Sequence, residues 1–218
     1  MKKETKRDFS LAAVLLAAFI LWTVSVKLVD VRAIGPMGSW VGFASINGFV
    51  RSLVGVNMSL YTVTDWLGIV PLLFVMGFAM LGLVQLIGRR SILKVDRSIL
   101  ALGGFYILVL SAFVFFEIYV VNYRPVLIDG RLEASYPSST TMLSMCVMPT
   151  AAIQLKARIH NVAVRRCVCF AICLFFLFMV IGRLISGVHW FTDIIGGALL
   201  SSSLVFLYSA VIRWLLSR

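Results

Sequence analysis

The stretch Gly182-Arg183-Leu184-Ile185-Ser186-Gly187-Val188-His189-Trp190-Phe191-Thr192-Asp193 lies where two long apolar runs meet. It holds an Arg, an Asp and one of the chain's two His. His189 and Asp193 are four residues apart, so on a helix they share one face. Titratable residues within apolar sequence are costly and by default mark function. A carboxylate one turn from an imidazole orients the ring and fixes its tautomer. The other ring nitrogen is then free to act as nucleophile or base. Arg183 adds a planar fork suited to phosphate. The same residues also fit a plainer role, a buried His–Asp pair that ties two membrane helices together.

Read outward from this stretch, the chain is an all-α integral membrane protein. Of its 218 residues, 61% are hydrophobic and 13% charged, and the mean hydropathy is +1.02. Soluble domains run near half apolar and a quarter charged. The formal net charge of +11 then reflects cytoplasmic loops, not nucleic-acid binding. The first apolar run is too long for a cleavable signal. Cys146, Cys167, Cys169 and Cys173 come without a metal-ligand pattern and read as small core hydrophobes.

Crossing the hydrocarbon core takes about 20 apolar residues. Behind a charged tail at 1–8, six segments meet that need within a single membrane domain, 9–218: 9–29, 66–87, 99–121, 138–155, 168–188 and 190–207. Residues 33–64 differ. Phe43, Ile46, Phe49, Val50, Leu53 and Val54 recur there at helix-like spacing between Gly and Pro punctuation, which predicts a short helix at the outer interface. Six spans place both termini on one side. The tail, the turns after spans two and four, and the C-terminus hold 14 of the 20 Lys and Arg. The positive-inside rule therefore puts both termini in the cytoplasm. Arg124, Thr140, Arg183 and His189 then fall near the outer face.

Three separated pieces meet at that depth: Arg124-Pro125 after span three, Pro137-Ser138-Ser139-Thr140 at the start of span four, and Arg183, His189 and Asp193 at the last corner. Two Arg beside a hydroxyl-rich helix N-terminus make an anion site. The intervening residues Asp129, Arg131 and Glu133 read as a solvated loop.

In order, spacing and topology, residues 60–210 resemble the type 2 phosphatidic acid phosphatase family, which shares its core with vanadium haloperoxidases. That family carries Lys-x6-Arg-Pro, then Pro-Ser-Gly-His, then Ser-Arg-x5-His-x3-Asp. Arg124-Pro125, Pro137-Ser138 and Arg183-x5-His189-x3-Asp193 match. The resemblance implies that His189 attacks phosphorus, that Asp193 orients it, and that Arg124, Arg183 and the Ser138, Ser139 and Thr140 turn hold the phosphoryl oxygens. It implies a lipid phosphate or diphosphate substrate, undecaprenyl diphosphate among them, and no metal or other cofactor.

Three positions depart from the pattern. Glu117 stands where the family has Lys, Ser139-Thr140 where it has Gly-His, and Gly182 where it has Ser. His160 lies in a basic cytoplasmic turn and cannot replace the missing His. Three readings stay open. In the first, Glu117 serves as the acid of an active phosphatase, since apolar surroundings favour a protonated carboxyl. In the second, an alcohol replaces water and the protein is a head-group transferase. In the third, it is an inactive lipid-phosphate binder. Glu117 also has a structural alternative, pairing with Arg124 or Arg183. The short chain and basic tail suggest a bacterial plasma membrane, with the site on its extracytoplasmic side.

Overall fold

The computed structural model describes residues 3–217. Lys2 and Arg218, counted above among the cytoplasmic basic residues, lie outside them. The described chain forms eight α-helices: α1 (Lys3–Leu28), α2 (Ala44–Val54), α3 (Met58–Leu67), α4 (Ile69–Arg89), α5 (Arg97–Ile118), α6 (Ser139–Arg158), α7 (Val162–Ile185) and α8 (Phe191–Leu216). Their starts follow local chemistry. Asn57 accepts the Leu60 N–H at 2.9 Å and opens α3. Asn161 does the same for Val164 at 3.1 Å and opens α7. Side-chain oxygens there satisfy backbone donors that have no partner within the helix.

α1, α4, α5, α6, α7 and α8 each have 20 residues or more. At about 1.5 Å per residue, each is long enough to cross a bilayer core. Among the described residues, five stretches are both long and apolar enough, with α3 and α4 forming one of them, Met58–Arg89. This differs from the six spans expected, and α6 is the exception. It lies inside the bundle, with Thr141, Ser144, Thr150 and Gln154 buried. Thr150 donates its hydroxyl to the Cys146 and Val147 carbonyls at 2.8 and 3.0 Å, just past Pro149. Gln154 donates to the Ser98 carbonyl at 3.2 Å. A helix shielded from lipid by its neighbours does not need an apolar surface. Outer helices do, and α4 turns Leu72, Leu73, Met76, Met80 and Val84 outward.

α8 is the central helix and packs against α1, α5 and α6. Near its start, Gly196 lies under the Tyr136 ring. A Cβ there would come within 2.5 Å of the ring carbon Cε2. The ring is held from the other side by α1, where the Tyr136 and Thr23 hydroxyls are 2.6 Å apart. At the opposite end of α8, Arg213 pairs with Asp8 at 3.1 Å and with Glu4. Both ends of the described chain therefore meet at the face opposite the His189 corner.

The 33–64 stretch forms two helices. α2 exposes Ile46, Phe49 and Leu53. Its Asn47 reaches under the last corner, donating to Thr192 Oγ1 at 3.0 Å and accepting the Thr192 N–H at 3.2 Å. α3 starts at Met58, eight residues ahead of the expected span, and packs on α7.

The segment expected to be a solvated loop is a narrow antiparallel turn. Asp129 and Gly130, with φ of 48° and 73°, form its tip. Ile128 and Arg131 exchange backbone hydrogen bonds of 3.1 and 2.9 Å. Beyond this pair, residues 125–127 face 132 alone and shift the register by two, so that the Arg124 N–H donates to the Glu133 carbonyl at 3.0 Å and the Ser135 N–H to the Asn122 carbonyl at 2.9 Å. Asp129 and Arg131 at the tip are exposed, while Ser135 is buried.

Candidate active site

The turn, the start of α6 and the α7–α8 corner converge on His189. The ring is buried, 4% exposed, and Asp193 is fully buried. Asp193 holds the corner shut by accepting the Trp190 backbone N–H at 2.9 Å. It also accepts Asn122 Nδ2 at 3.2 Å. Its backbone carbonyl takes the Ser138 N–H at 3.1 Å. The first turn of α8 and the N-cap of α6 are thus joined through one residue. Ser138 caps α6, its hydroxyl accepting the Thr141 N–H at 3.5 Å.

His189 and Asp193 are not in direct contact: Nδ1 to Oδ2 is 3.8 Å. The Ser135 hydroxyl lies between them, 3.1 Å from His189 Nδ1 and hydrogen-bonded to Asp193 Oδ2. Arg124 lies at the other edge of the ring, with Nη1 3.4 Å from Nε2. Burial, and then Arg124 and Arg183, push His189 down to about 4. Asp193 pulls the other way. The ring is therefore neutral near pH 7, with an unprotonated nitrogen to offer.

Each arginine carries its own carboxylate. Arg124 Nε is 3.1 Å from Glu133 Oε2. Arg183, nearly fully buried, pairs with Asp65 at 2.9 Å and donates to Thr140 Oγ1 at 2.6 Å. It also donates to the Thr64 hydroxyl and the Tyr61 carbonyl, both at 3.3 Å, and lies over the Tyr61 ring at 4.7 Å. α3 comes this close because residue 182 is Gly, where a Cβ would sit 2.8 Å from the Thr64 methyl. Both acidic partners face solvent, with side chains 41% exposed for Glu133 and 57% for Asp65.

The structure places Arg124, His189 and Asp193 in one contact network. Ser138 joins it through its backbone, while Thr140 and Arg183 form a neighbouring cluster with Asp65 and Thr64. Ser139 has no side-chain hydrogen bond among the described residues and opens onto a small cavity of about 10 Å³, shared with His189, Ser135 and Glu117. Glu117 is exposed and makes no hydrogen bond or ion pair among the described residues. The pairing with Arg124 or Arg183 is therefore not formed, because Glu133 and Asp65 occupy those arginines. Ser135, Asn122, Glu133 and Asp65 are the site residues that sequence reasoning missed. Among the described residues, no group of three or more His, Cys, Asp and Glu is placed to hold a metal.

A second cavity, about 830 Å³, runs between α4, α5 and α6. Leu72, Val109, Leu110, Phe113, Leu143 and Val147 line it, and it ends on Asp65, Ser139 and Thr140. It shares Phe113, Ser139 and Met142 with the small cavity beside His189.

The PAP2 superfamily profile matches residues 119–216. This stretch belongs to the PAP2 superfamily. The PAP2 region takes in the narrow turn, α6, α7 and α8, and with them Arg124, Ser135, Arg183, His189 and Asp193. Glu117 and Asp65 lie ahead of it. The fold as a whole is similar to a solved structure described as "Crystal structure of the first transmembrane PAP2 type phosphatidylglycerolphosphate phosphatase from Bacillus subtilis". The TM-score is 0.64 at 17% identity, covering 93% of this chain and 96% of that one. This identity supports likeness of fold. No curated protein sequence matches the chain.

Proposed function

We propose that this protein is a membrane lipid phosphatase acting through a phospho-His intermediate on His189. The observation that carries the reading is the His189 ring itself. It is buried and neutral, backed on the Nδ1 side by Asp193 and Ser135, and directed at Arg124 from Nε2. The PAP2 match over these residues and the likeness of fold to a phosphatidylglycerolphosphate phosphatase support it.

In this reading a phosphoryl group enters between Nε2 and the start of α6. Its oxygens draw Arg124 from Glu133 and Arg183 from Asp65, replacing each carboxylate with phosphate. Ser139 and Thr140 offer first-turn N–H groups to the same oxygens. Nε2 attacks phosphorus, and the bond from phosphorus to the leaving oxygen breaks. The leaving oxygen takes a proton from Glu117 when it departs as an alcohol. Water then attacks the phospho-imidazole with Glu117 as base, which releases inorganic phosphate and restores the ring. Charge stabilisation and positioning supply most of the acceleration in such transfers.

The 830 Å³ cavity accommodates part of an acyl or prenyl chain. α6 acts as the sixth, internal span. The basic turns support termini in the cytoplasm and a site facing the extracytoplasmic side of a plasma membrane. One feature favours a second reading. Glu117, without a partner among the described residues and lining the same small cavity as His189, is equally suited to deprotonating an alcohol, which would make the protein a head-group transferase. Purified protein, with His189→Ala alongside, is assayed with phosphatidic acid, phosphatidylglycerol phosphate and undecaprenyl diphosphate. Phosphate release that vanishes in the variant supports the hydrolase. Release undiminished in the variant removes His189 from the mechanism. Head-group transfer to an added alcohol without phosphate release selects the second reading.

A further inference from the structure

We infer that Ser135 is a positioning residue, its hydroxyl being the link through which Asp193 holds the His189 ring. The inference rests on the reading of His189 as nucleophile. A span of 3.8 Å from Nδ1 to the carboxylate is too long for a hydrogen bond. Ser135 Oγ sits in the gap, 3.1 Å from the ring nitrogen and bonded to the carboxylate.

A hydroxyl has one proton to give, and an ionised carboxylate can only accept. The Ser135 proton therefore goes to Asp193, and the oxygen lone pair is left to accept a proton from Nδ1. This fixes the Nδ1–H tautomer and leaves the lone pair on Nε2, the nitrogen facing Arg124. Without the hydroxyl, nothing on the Nδ1 side of the ring selects between the two tautomers at hydrogen-bond distance. Arg124, a donor 3.4 Å from Nε2, favours the same tautomer from the opposite edge, at a longer distance and without giving the Nδ1 proton an acceptor. Glu117 lines the cavity without reaching a partner among the described residues.

The hydroxyl is itself held in place. Ser135 is 3% exposed, and its backbone N–H is tied to the Asn122 carbonyl at 2.9 Å. The adjacent Tyr136 ring is clamped between Gly196 and Thr23. Asn122 then reaches Asp193 from the paired side of the turn at 3.2 Å. Ser135 and Asn122, opposite each other in one backbone register, fix the carboxylate from two directions.

The chain's two His make a direct test practical. His160 is exposed and lies in the turn before α7, so His160→Gln leaves His189 as the single imidazole. With 15N-imidazole label in detergent micelles, the parent is expected to show a hydrogen-bonded proton on Nδ1 and none on Nε2 at neutral pH. Ser135→Ala is expected to lose the hydrogen-bonded signature of the Nδ1 proton and to let the Nε2–H tautomer appear. It should also lower kcat for phosphate release about 10- to 100-fold, the scale of a charge-assisted hydrogen bond, with KM changed less than about 2-fold. Ser135→Thr keeps the hydroxyl and is expected to retain both the tautomer and most of the rate. An Nδ1 proton signal unchanged in Ser135→Ala, or equal losses in the Ala and Thr variants, overturns the inference. If the parent shows the single tautomer but releases no phosphate, the hydrolase reading fails and the spectra alone decide the role of Ser135.

Discussion

Acidification separates the buried His189 from an ordinary imidazole. Burial, with Arg124 and Arg183, brings it down to about 4 in the folded protein, against about 6.5 in an unfolded chain. Between those values the unfolded state binds more protons than the folded one. His189 therefore costs no stability above about pH 6.5, and stability is lost as pH falls through the window toward 4. At about 1.4 kcal/mol per pH unit of difference, the loss reaches about 2 kcal/mol at pH 5 and about 3 kcal/mol near pH 4. The assay is equilibrium unfolding in mixed micelles from pH 7.5 to 4.5, comparing wild type with His189→Gln, which keeps a polar side chain but has no titration. Other groups titrating in this range affect both proteins, so the difference between the two curves isolates His189. Wild type is expected to lose about 2 kcal/mol more than the variant by pH 5. Parallel curves, or an NMR midpoint for His189 at or above 6.5, would refute the reasoning.

Three substitutions probe the surrounding parts. Glu133→Gln removes the carboxylate that competes with phosphate for Arg124; KM for an anionic lipid should fall about 2- to 5-fold, the scale of a half-exposed ion pair, and an unchanged or higher KM counts against displacement. Gly196→Ala forces a methyl against the Tyr136 ring and should lower stability by about 1–3 kcal/mol, measured as Tm; an unchanged Tm would mean that the ring is not clamped as described. Glu117→Gln should lower kcat about 100-fold or more with Tm unchanged, since Glu117 has no partner among the described residues; full activity in the variant removes it as acid and base.

The helical membrane fold was legible because apolar runs of span length, separated by basic turns, leave few alternatives. The His189–Asp193 spacing pointed to the right pair, but His189 lies in the corner before α8 begins at Phe191, so the two share no helical face and Ser135 fills the 3.8 Å between them. α6 was harder to classify by composition, since burial within the bundle lets Thr150 and Gln154 sit at membrane depth with internal partners. The start of α3 was missed because Met58–Thr64 mixes polar and apolar residues. Its polar groups turn toward Arg183, a partner 119 residues away for Thr64. The narrow turn left a signal that went unread. Asp129-Gly130 is a strong two-residue hairpin dipeptide. Taken as a tip, it folds 131–135 back along 122–128, although plain counting would set Arg124 against Ser135; the longer first arm, 125–127 against 132, shifts the pairing by two, to Arg124 with Glu133 and Asn122 with Ser135. The shifted register yields both the ion pair and the serine beside His189, and neither it nor the shift follows from charge or hydropathy.

The central claim is that phosphorus becomes bonded to His189. Turnover of a lipid carrying 32P in its terminal phosphate, quenched in alkali where phospho-imidazole survives, tests it most directly. The account predicts label on the His189 peptide of wild type and none on protein bearing His189→Ala. Steady release of labelled phosphate with no label on the wild-type peptide, or equal label on the variant, would contradict it.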